Sequence, residues 1–242
     1  MYDAYSRMEI LLGQNGVNCL SSAKIAVFGL GGAGSYVVEA LARCGVGSLT
    51  LVDYDTVSLT NINRQLYALQ STVGKKKVQI AKERIRDIDD NILVHTYETF
   101  YNEDTAGMFD LKSYDYIVDA TDTVQSKILL IRNATLVRTP VISCMDTKNK
   151  INPSRFEIAD ISRVNSDAMA KSIRRELKKQ GIKKVKVLFS RERTNKALEL
   201  RNCRTQADNR IPGSISFVPS VAGLLIAGEV VRDILKEKNK NK

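Results

Sequence analysis

The stretch from Lys24 to Asp55, KIAVFGLGGAGSYVVEALARCGVGSLTLVDYD, constrains this chain more than any other. A short β-rich run, Lys24–Phe28, enters a glycine turn, Gly29-Leu30-Gly31-Gly32-Ala33-Gly34. A helical pattern over Ser35–Arg43 follows and is stopped by Cys44-Gly45-Val46-Gly47, before a second strand at Ser48–Val52. Two strands joined through a helix make a parallel βαβ unit, the beginning of a parallel sheet. Asp53 ends the second strand, 19 residues beyond Gly34. Glycines at such a turn let backbone N–H groups approach a phosphate at the helix N-terminus, and an acid so placed accepts bonds from ribose hydroxyls.

Alternating elements continue beyond this unit. Val78–Ile88 is patterned as an amphipathic helix, Leu93–Tyr97 and Tyr116–Asp119 as strands, Val124–Val137 as a helix and Pro140–Ser143 as a further strand. Ahead of them, Asp3–Leu12 reads as a helix with Tyr5, Met8, Leu11 and Leu12 on one stripe, while Asp55–Leu66 reads as a loop. After Pro153 come strands at Arg155–Ile158 and Val185–Phe189 with a charged helix, Asp167–Lys179, between them. A polar stretch over 191–213 reads as a mobile loop, and an apolar helix, Ser220–Leu235, packs back on the sheet. The expectation is an α/β fold: a Rossmann-like, doubly wound, mostly parallel sheet with a C-terminal extension of strands and helices, forming one domain over residues 1–242.

Composition closes several doors. The four cysteines (Cys19, Cys44, Cys144, Cys203) contain no C-x-x-C pair, which argues against a structural zinc and against a disulfide framework. With one histidine in the chain, a His-based metal site or a Ser-His-Asp triad has too few parts. The longest apolar run, Val221–Ala227, is too short to span a bilayer, and the acidic, amphipathic N-terminus is unlike a signal peptide, so a cytoplasmic protein without membrane contact is expected. The net charge of +10 is uneven: residues 163–242 hold 20 Lys and Arg against 8 Asp and Glu. That segment either faces a polyanion or is a solvated basic face with a solubilising tail. Lys183, Lys184 and Lys186 belong to it.

The glycine turn and Asp53 alone would suit a nicotinamide or flavin enzyme. Three later segments point elsewhere: Asn61-Ile62-Asn63-Arg64-Gln65, Gly74-Lys75-Lys76-Lys77 and Asp119-Ala120-Thr121-Asp122. Hydride transfer needs neither a cluster of cations near the phosphates nor an acid placed to hold a metal. Adenylation needs both, because a carboxylate must attack an α-phosphate while pyrophosphate leaves. Singly each has a plainer reading: Lys75–Lys77 as a solvated helix start, Arg64 as a surface residue, Asp122 as the N-cap of the helix from Val124. Their order and spacing after the glycine turn favour the chemical reading.

Together these residues resemble the nucleotide-binding half of the ubiquitin-activating-enzyme-like (ThiF-type) superfamily. The resemblance implies Gly29, Gly31, Gly32, Gly34, Asp53, Asp55, Gln65, Asp119 and Thr121 as ATP-binding residues. It implies Asn61, Arg64 and Lys77 on the phosphates, Asp122 on Mg2+, and Arg7 reaching into the partner's nucleotide site of a homodimer. Asn149–Ser162 and Phe217–Gly223 further resemble the tRNA threonylcarbamoyladenosine dehydratases, over nearly the whole chain. That implies ATP-dependent activation of the threonyl carboxylate on a modified tRNA adenosine, followed by ring closure. Residues 1–145 would then bind nucleotide and 146–242 would form a basic, tRNA-facing half. The resemblance leaves room for sulfur-handling or redox partner proteins.

The turn Met145-Asp146-Thr147-Lys148, where the family usually has glycine and alanine, departs from the pattern and is expected to line the acceptor pocket. Asn152 likewise stands where an Asp often precedes the family's proline. Cys203, between arginines at 201 and 204, is left outside the catalytic set. Two further functions compete: adenylation of the C-terminal Gly-Gly of a sulfur-carrier protein, and an NAD-dependent oxidoreductase. A scaffold that merely binds tRNA would have no use for Asn61, Arg64, Lys77 and Asp122.

Overall fold

The computed structural model describes residues 3–193 and 212–240. The loop expected over 191–213 falls largely outside the described residues, and so does Cys203. Seven strands form one sheet: β1 (Lys24–Phe28), β2 (Ser48–Val52), β3 (Leu93–Tyr97), β4 (Tyr116–Asp119), β5 (Val141–Cys144), β6 (Phe156–Asp160) and β7 (Lys186–Ser190). Their order is β3-β2-β1-β4-β5-β7-β6, all neighbours being parallel except β6, which runs antiparallel to β7 at the edge. The fold is the expected α/β arrangement, with β6 and β7 as the C-terminal extension of the sheet.

Side-chain alternation along β1 shows why the strands read as continuous apolar runs. Ile25 and Val27 face one core with helices α1 (Ser6–Ser21), α2 (Gly32–Arg43), α3 (Lys77–Ile88) and α6 (Phe217–Lys240). Ala26 and Phe28 face another, where Leu129, Leu130 and Ala134 of α4 (Val124–Leu136) pack. A strand covered on both faces has no polar side to show. Helix α5 (Ala168–Lys179) closes a third cluster against β7 through Ala170, Ile173 and Leu177. Full burial of side chains such as Ile25 or Leu130 contributes on the order of 1.5–3 kcal/mol each.

Several boundaries differ from expectation, among them α2, which starts at Gly32 and not Ser35, and three differ for identifiable reasons. Helix α1 continues past Leu12 to Ser21, because Gly13, at φ 70°, turns the chain without ending it. The expected stripe is thereby broken: Leu11 is 82% exposed, and the buried positions are Gly16, Cys19 and Leu20 beyond the bend. Strand β5 begins at Val141, since Pro140 has no N–H, although its carbonyl still accepts from Ile117. Helix α6 starts at Phe217, with Pro219 in its first turn, where the missing N–H costs nothing.

Candidate active site

The sheet order reverses between β1 and β4, and ligands of such folds sit at the carboxyl ends of strands flanking that point. A cavity of about 260 Å3 opens there, lined by Gly29, Gly31 and Gly32 after β1, Asp53 and Asp55 after β2, and Ala120, Thr121 and Asp122 after β4. Gly29 has φ 90°, and a Cβ on it would lie 2.5 Å from the Ala120 carbonyl. A Cβ on Gly34 would meet the Gly29 carbonyl at 1.9 Å, so this glycine closes the turn on itself and does not line the cavity. Gly31 is different: nothing stands within 4 Å of its missing Cβ, and it caps α2 without a side-chain bond. The first backbone N–H groups of α2 therefore face a cradle that a side chain would fill, the geometry that receives a phosphate.

Asp53 anchors this turn. Its Oδ2 accepts from Leu30 N at 2.6 Å and its Oδ1 from Asp55 N at 2.8 Å, leaving lone pairs for a ligand's hydroxyls. Burial pushes its carboxyl above the ordinary value, against the attraction of Lys77. Lys77 opens α3, and its Nζ lies 2.6 Å from Asp55 and 4.0 Å from Asp53. At 3% exposure it is no solvated helix start. A buried cation in the first turn of a helix opposes the macrodipole, a cost that an anionic ligand would offset. Tyr54 and Phe100 meet edge-to-face at 5.2 Å on the same wall, and Asp55, burial, Asp122 and Asp53 together push the Tyr54 hydroxyl up.

Asn61 and Arg64 come from the segment expected as a loop, which contains a single 3-10 turn, Leu59–Asn61. Asn61 lines the cavity, and its Oδ1 accepts from Ser58 N, which leaves its NH2 donors uncommitted by that bond. Arg64 donates to the Thr60 carbonyl and to Asn63 Oδ1, and no carboxylate pairs with it among the described residues. Its partial burial lowers its pKa from a very high value, so it stays cationic at neutral pH. Gln65 is buried beside them and lines the cavity. Asp122 is exposed at the rim, and the N-cap of α4 is Thr123, so Asp122 is not consumed by capping.

Of the residues expected at the site, Gly29, Gly31, Gly32, Asp53, Asp55, Asn61, Arg64, Gln65, Lys77, Thr121 and Asp122 are brought together. Arg7 is not; it lies exposed on α1 and lines no part of the cavity. Asp119 is not a lining residue either. As the last residue of a central strand it is fully buried, 3.3 Å from Lys127 Nζ, and accepts from Ser143 Oγ at 2.5 Å and Thr121 Oγ1 at 2.7 Å. It ties the loop after β4 and strand β5 to α4 from beneath. No disulfide forms among the described cysteines; Cys144 forms part of the cavity floor, where burial pushes its thiol up to about 12. A thiol so held stays protonated at neutral pH, the inert state of a buried cysteine.

The family model for the ThiF family matches residues 5–242. The chain belongs to the ThiF family. The tRNA threonylcarbamoyladenosine dehydratase of Bacillus subtilis (strain 168) is 44% identical to it over 245 residues, covering 98% of this chain and 96% of that protein. The dehydratase of Haemophilus influenzae is 32% identical over 91% of this chain and 88% of its own length. Among solved structures, E. coli tRNA N6-threonylcarbamoyladenosine dehydratase in complex with ATP aligns with a TM-score of 0.88 at 27% identity, covering 99% of this chain and 96% of that one.

Within this ThiF-family pocket the structure adds Tyr54, Phe100, Lys127 and the turn Met145–Lys148. That turn lines the cavity, as expected from its place after β5. Tyr54, Phe100 and Lys127 carry no motif of their own; Tyr54 and Phe100 meet in a ring contact, and Lys127 reaches the site from α4 through Asp119.

Proposed function

We propose that this protein adenylates the threonyl carboxylate of threonylcarbamoyladenosine in tRNA with ATP and then closes a ring with loss of AMP. The observation that carries this reading is the cavity itself. A glycine turn at a helix N-terminus, the cations Arg64 and Lys77 among four, and an exposed carboxylate share one pocket, in a chain that aligns with a dehydratase over 98% of its length. An NAD-dependent oxidoreductase would leave Arg64, Lys77 and Asp122 without work.

In the mechanism, Asp53 holds the ribose hydroxyls, and Tyr54 and Phe100 wall the base. The α2 N-terminus, Asn61, Arg64 and Lys77 hold the phosphates, Lys77 exchanging part of its contact with Asp55 for them. The residues fit a magnesium ion: Asp122, exposed at the cavity rim and not used as a cap, would offer it one hard oxygen ligand. Held there, it would supply charge neutralisation for the leaving pyrophosphate. The substrate carboxylate attacks the α-phosphorus, the bond to the β-phosphate oxygen breaks, and pyrophosphate departs. An atom of the substrate's own carbamoyl group then attacks the activated carbonyl, loses its proton and expels AMP. The nucleoside loses the elements of water overall, and no enzyme nucleophile is required.

The whole chain acts as one adenylating unit in this reading, and Arg7 completes a neighbour's site in a homodimer. Residues Arg7 and Leu11 are four apart on α1 and share a face, and Ile10 and Leu11 are more than four-fifths exposed, an apolar surface that a second copy would cover. No helix among the described residues is long and apolar enough to cross a membrane. Work on tRNA places the protein in the cytoplasm, with sulfur-handling or redox proteins as further candidate partners.

The test is mass spectrometry of tRNA nucleosides after incubation with ATP, Mg2+ and threonylcarbamoyladenosine-bearing tRNA. The reading expects ATP-dependent loss of one water from that nucleoside. An unchanged nucleoside, together with adenylation of a carrier protein's C-terminal Gly-Gly, would assign the activity to the competing function.

A further inference from the structure

We propose that Lys148 binds the carboxylate of the incoming substrate and so determines which acids this enzyme activates; this rests on the adenylation reading above. Among the cations lining the cavity, Lys77 is paired with Asp55 and Lys127 with Asp119, while Arg64 bonds the Thr60 carbonyl beside the phosphate cradle. Lys148 is half-buried in the same cavity and has no acidic partner among the described residues. A cation that lines a cavity without a counter-charge can receive an anion there.

Its position selects the anion. Along the sheet edge the order is Asp53 after β2, the glycine turn after β1, Asp122 after β4 and Lys148 after β5. Strands lie about 4.8 Å apart, so Lys148 follows a strand roughly 14 Å from the one that ends at Asp53. In the adenylation reading the nucleotide runs from Asp53 toward Asp122, which leaves Lys148 on the far side of the phosphates, where the attacking acid would enter.

The turn is held in place without using the Lys148 ammonium. Met145 N donates to the Leu188 carbonyl, and Lys148 N donates to Asp146 Oδ1. Asn149 adopts φ 55°, which asparagine tolerates, and exchanges two bonds with Gly213. Ile151 N and Asn152 N donate to the Glu192 carboxylate. The backbone is thus fixed by other groups, and Lys148 Nζ is presented on a rigid support. In the reaction one carboxylate oxygen attacks the α-phosphorus as pyrophosphate leaves, while the other stays on Lys148. The ammonium offsets the repulsion of anion against anion during approach.

The experiment compares wild type, Lys148→Met and Lys148→Arg in the full-length enzyme, with modified tRNA, the same tRNA lacking the threonylcarbamoyl group, and ATP. A charge-assisted hydrogen bond corresponds to a rise of about 10- to 100-fold in KM for modified tRNA in Lys148→Met, with partial recovery in Lys148→Arg. KM for ATP and affinity for unmodified tRNA stay at wild-type values. Equal weakening of both tRNAs would make Lys148 a backbone-phosphate contact and overturn the proposal, as would an unchanged KM. Absence of turnover by the wild type would overturn the adenylation reading itself, and this proposal with it.

Discussion

Asp122 tests the chemistry at the smallest scale. It is exposed and is not the cap of α4, so Asp122→Ala leaves the fold intact. It removes the only carboxylate proposed for the metal, and ATP–pyrophosphate exchange is expected to fall by about 10²–10³-fold, with the melting temperature unchanged. Asp53 gives a pH signature. Burial raises its carboxyl above the ordinary value of 3.8 and Lys77 pulls it down. As pH falls through that raised value the carboxyl takes a proton and loses acceptor capacity, so ATP affinity weakens on the acid side. Lys77→Met removes the opposing pull and moves the midpoint of that loss to higher pH, as calorimetric titration across a pH series would show. Asp53, Arg64, Lys77 and Asp122 were legible in the sequence because each lies in or just after a local motif whose chemistry is recognisable. Asp119 belongs to the same motif, but strand alternation turns it inward, toward Lys127, and linear spacing alone does not reveal that direction.

At the scale of elements, α5 carries part of the basic last third. Lys171, Arg175, Lys178 and Lys179 recur at helical spacing on its exposed side, and Lys183 and Lys184 follow. Met169, in the first turn, lines the cavity, so this stripe begins at the mouth of the site. Lys186 departs from the basic face expected for it: it sits between Glu229 and Asp233 of α6, at 2.7 and 2.5 Å, and these bonds raise its pKa despite partial burial. Neutralising Lys171, Lys178, Lys183 and Lys184 together is expected to weaken tRNA binding and flatten the plot of log affinity against log salt by about 3. Lys186→Ala would leave that slope alone, a contrast that a charge count over the segment would miss. The strands were readable because two-sided burial makes them continuous apolar runs. The course of α1 was not, since Gly13 both permits and hides the bend after which the helix turns inward.

At the scale of the whole molecule, the proposed homodimer would bring Arg7 of one copy to the cavity of the other. Ile10→Asp with Leu11→Asp is expected to yield monomers by sedimentation and to abolish exchange, because Arg7 no longer reaches a neighbour's cavity. Arg7→Ala alone would keep the dimer and still lose at least tenfold in rate, and a mixture of Arg7→Ala and Asp122→Ala chains would regain activity at sites that draw both intact residues. The most direct test of the central claim follows one oxygen. With threonylcarbamoyladenosine-tRNA labelled with 18O in the threonyl carboxylate, one labelled oxygen should appear in the phosphate of AMP as the nucleoside loses its water. Label in inorganic phosphate, with ADP as the nucleotide product, would contradict adenylation and require phosphorylation of the acid in its place.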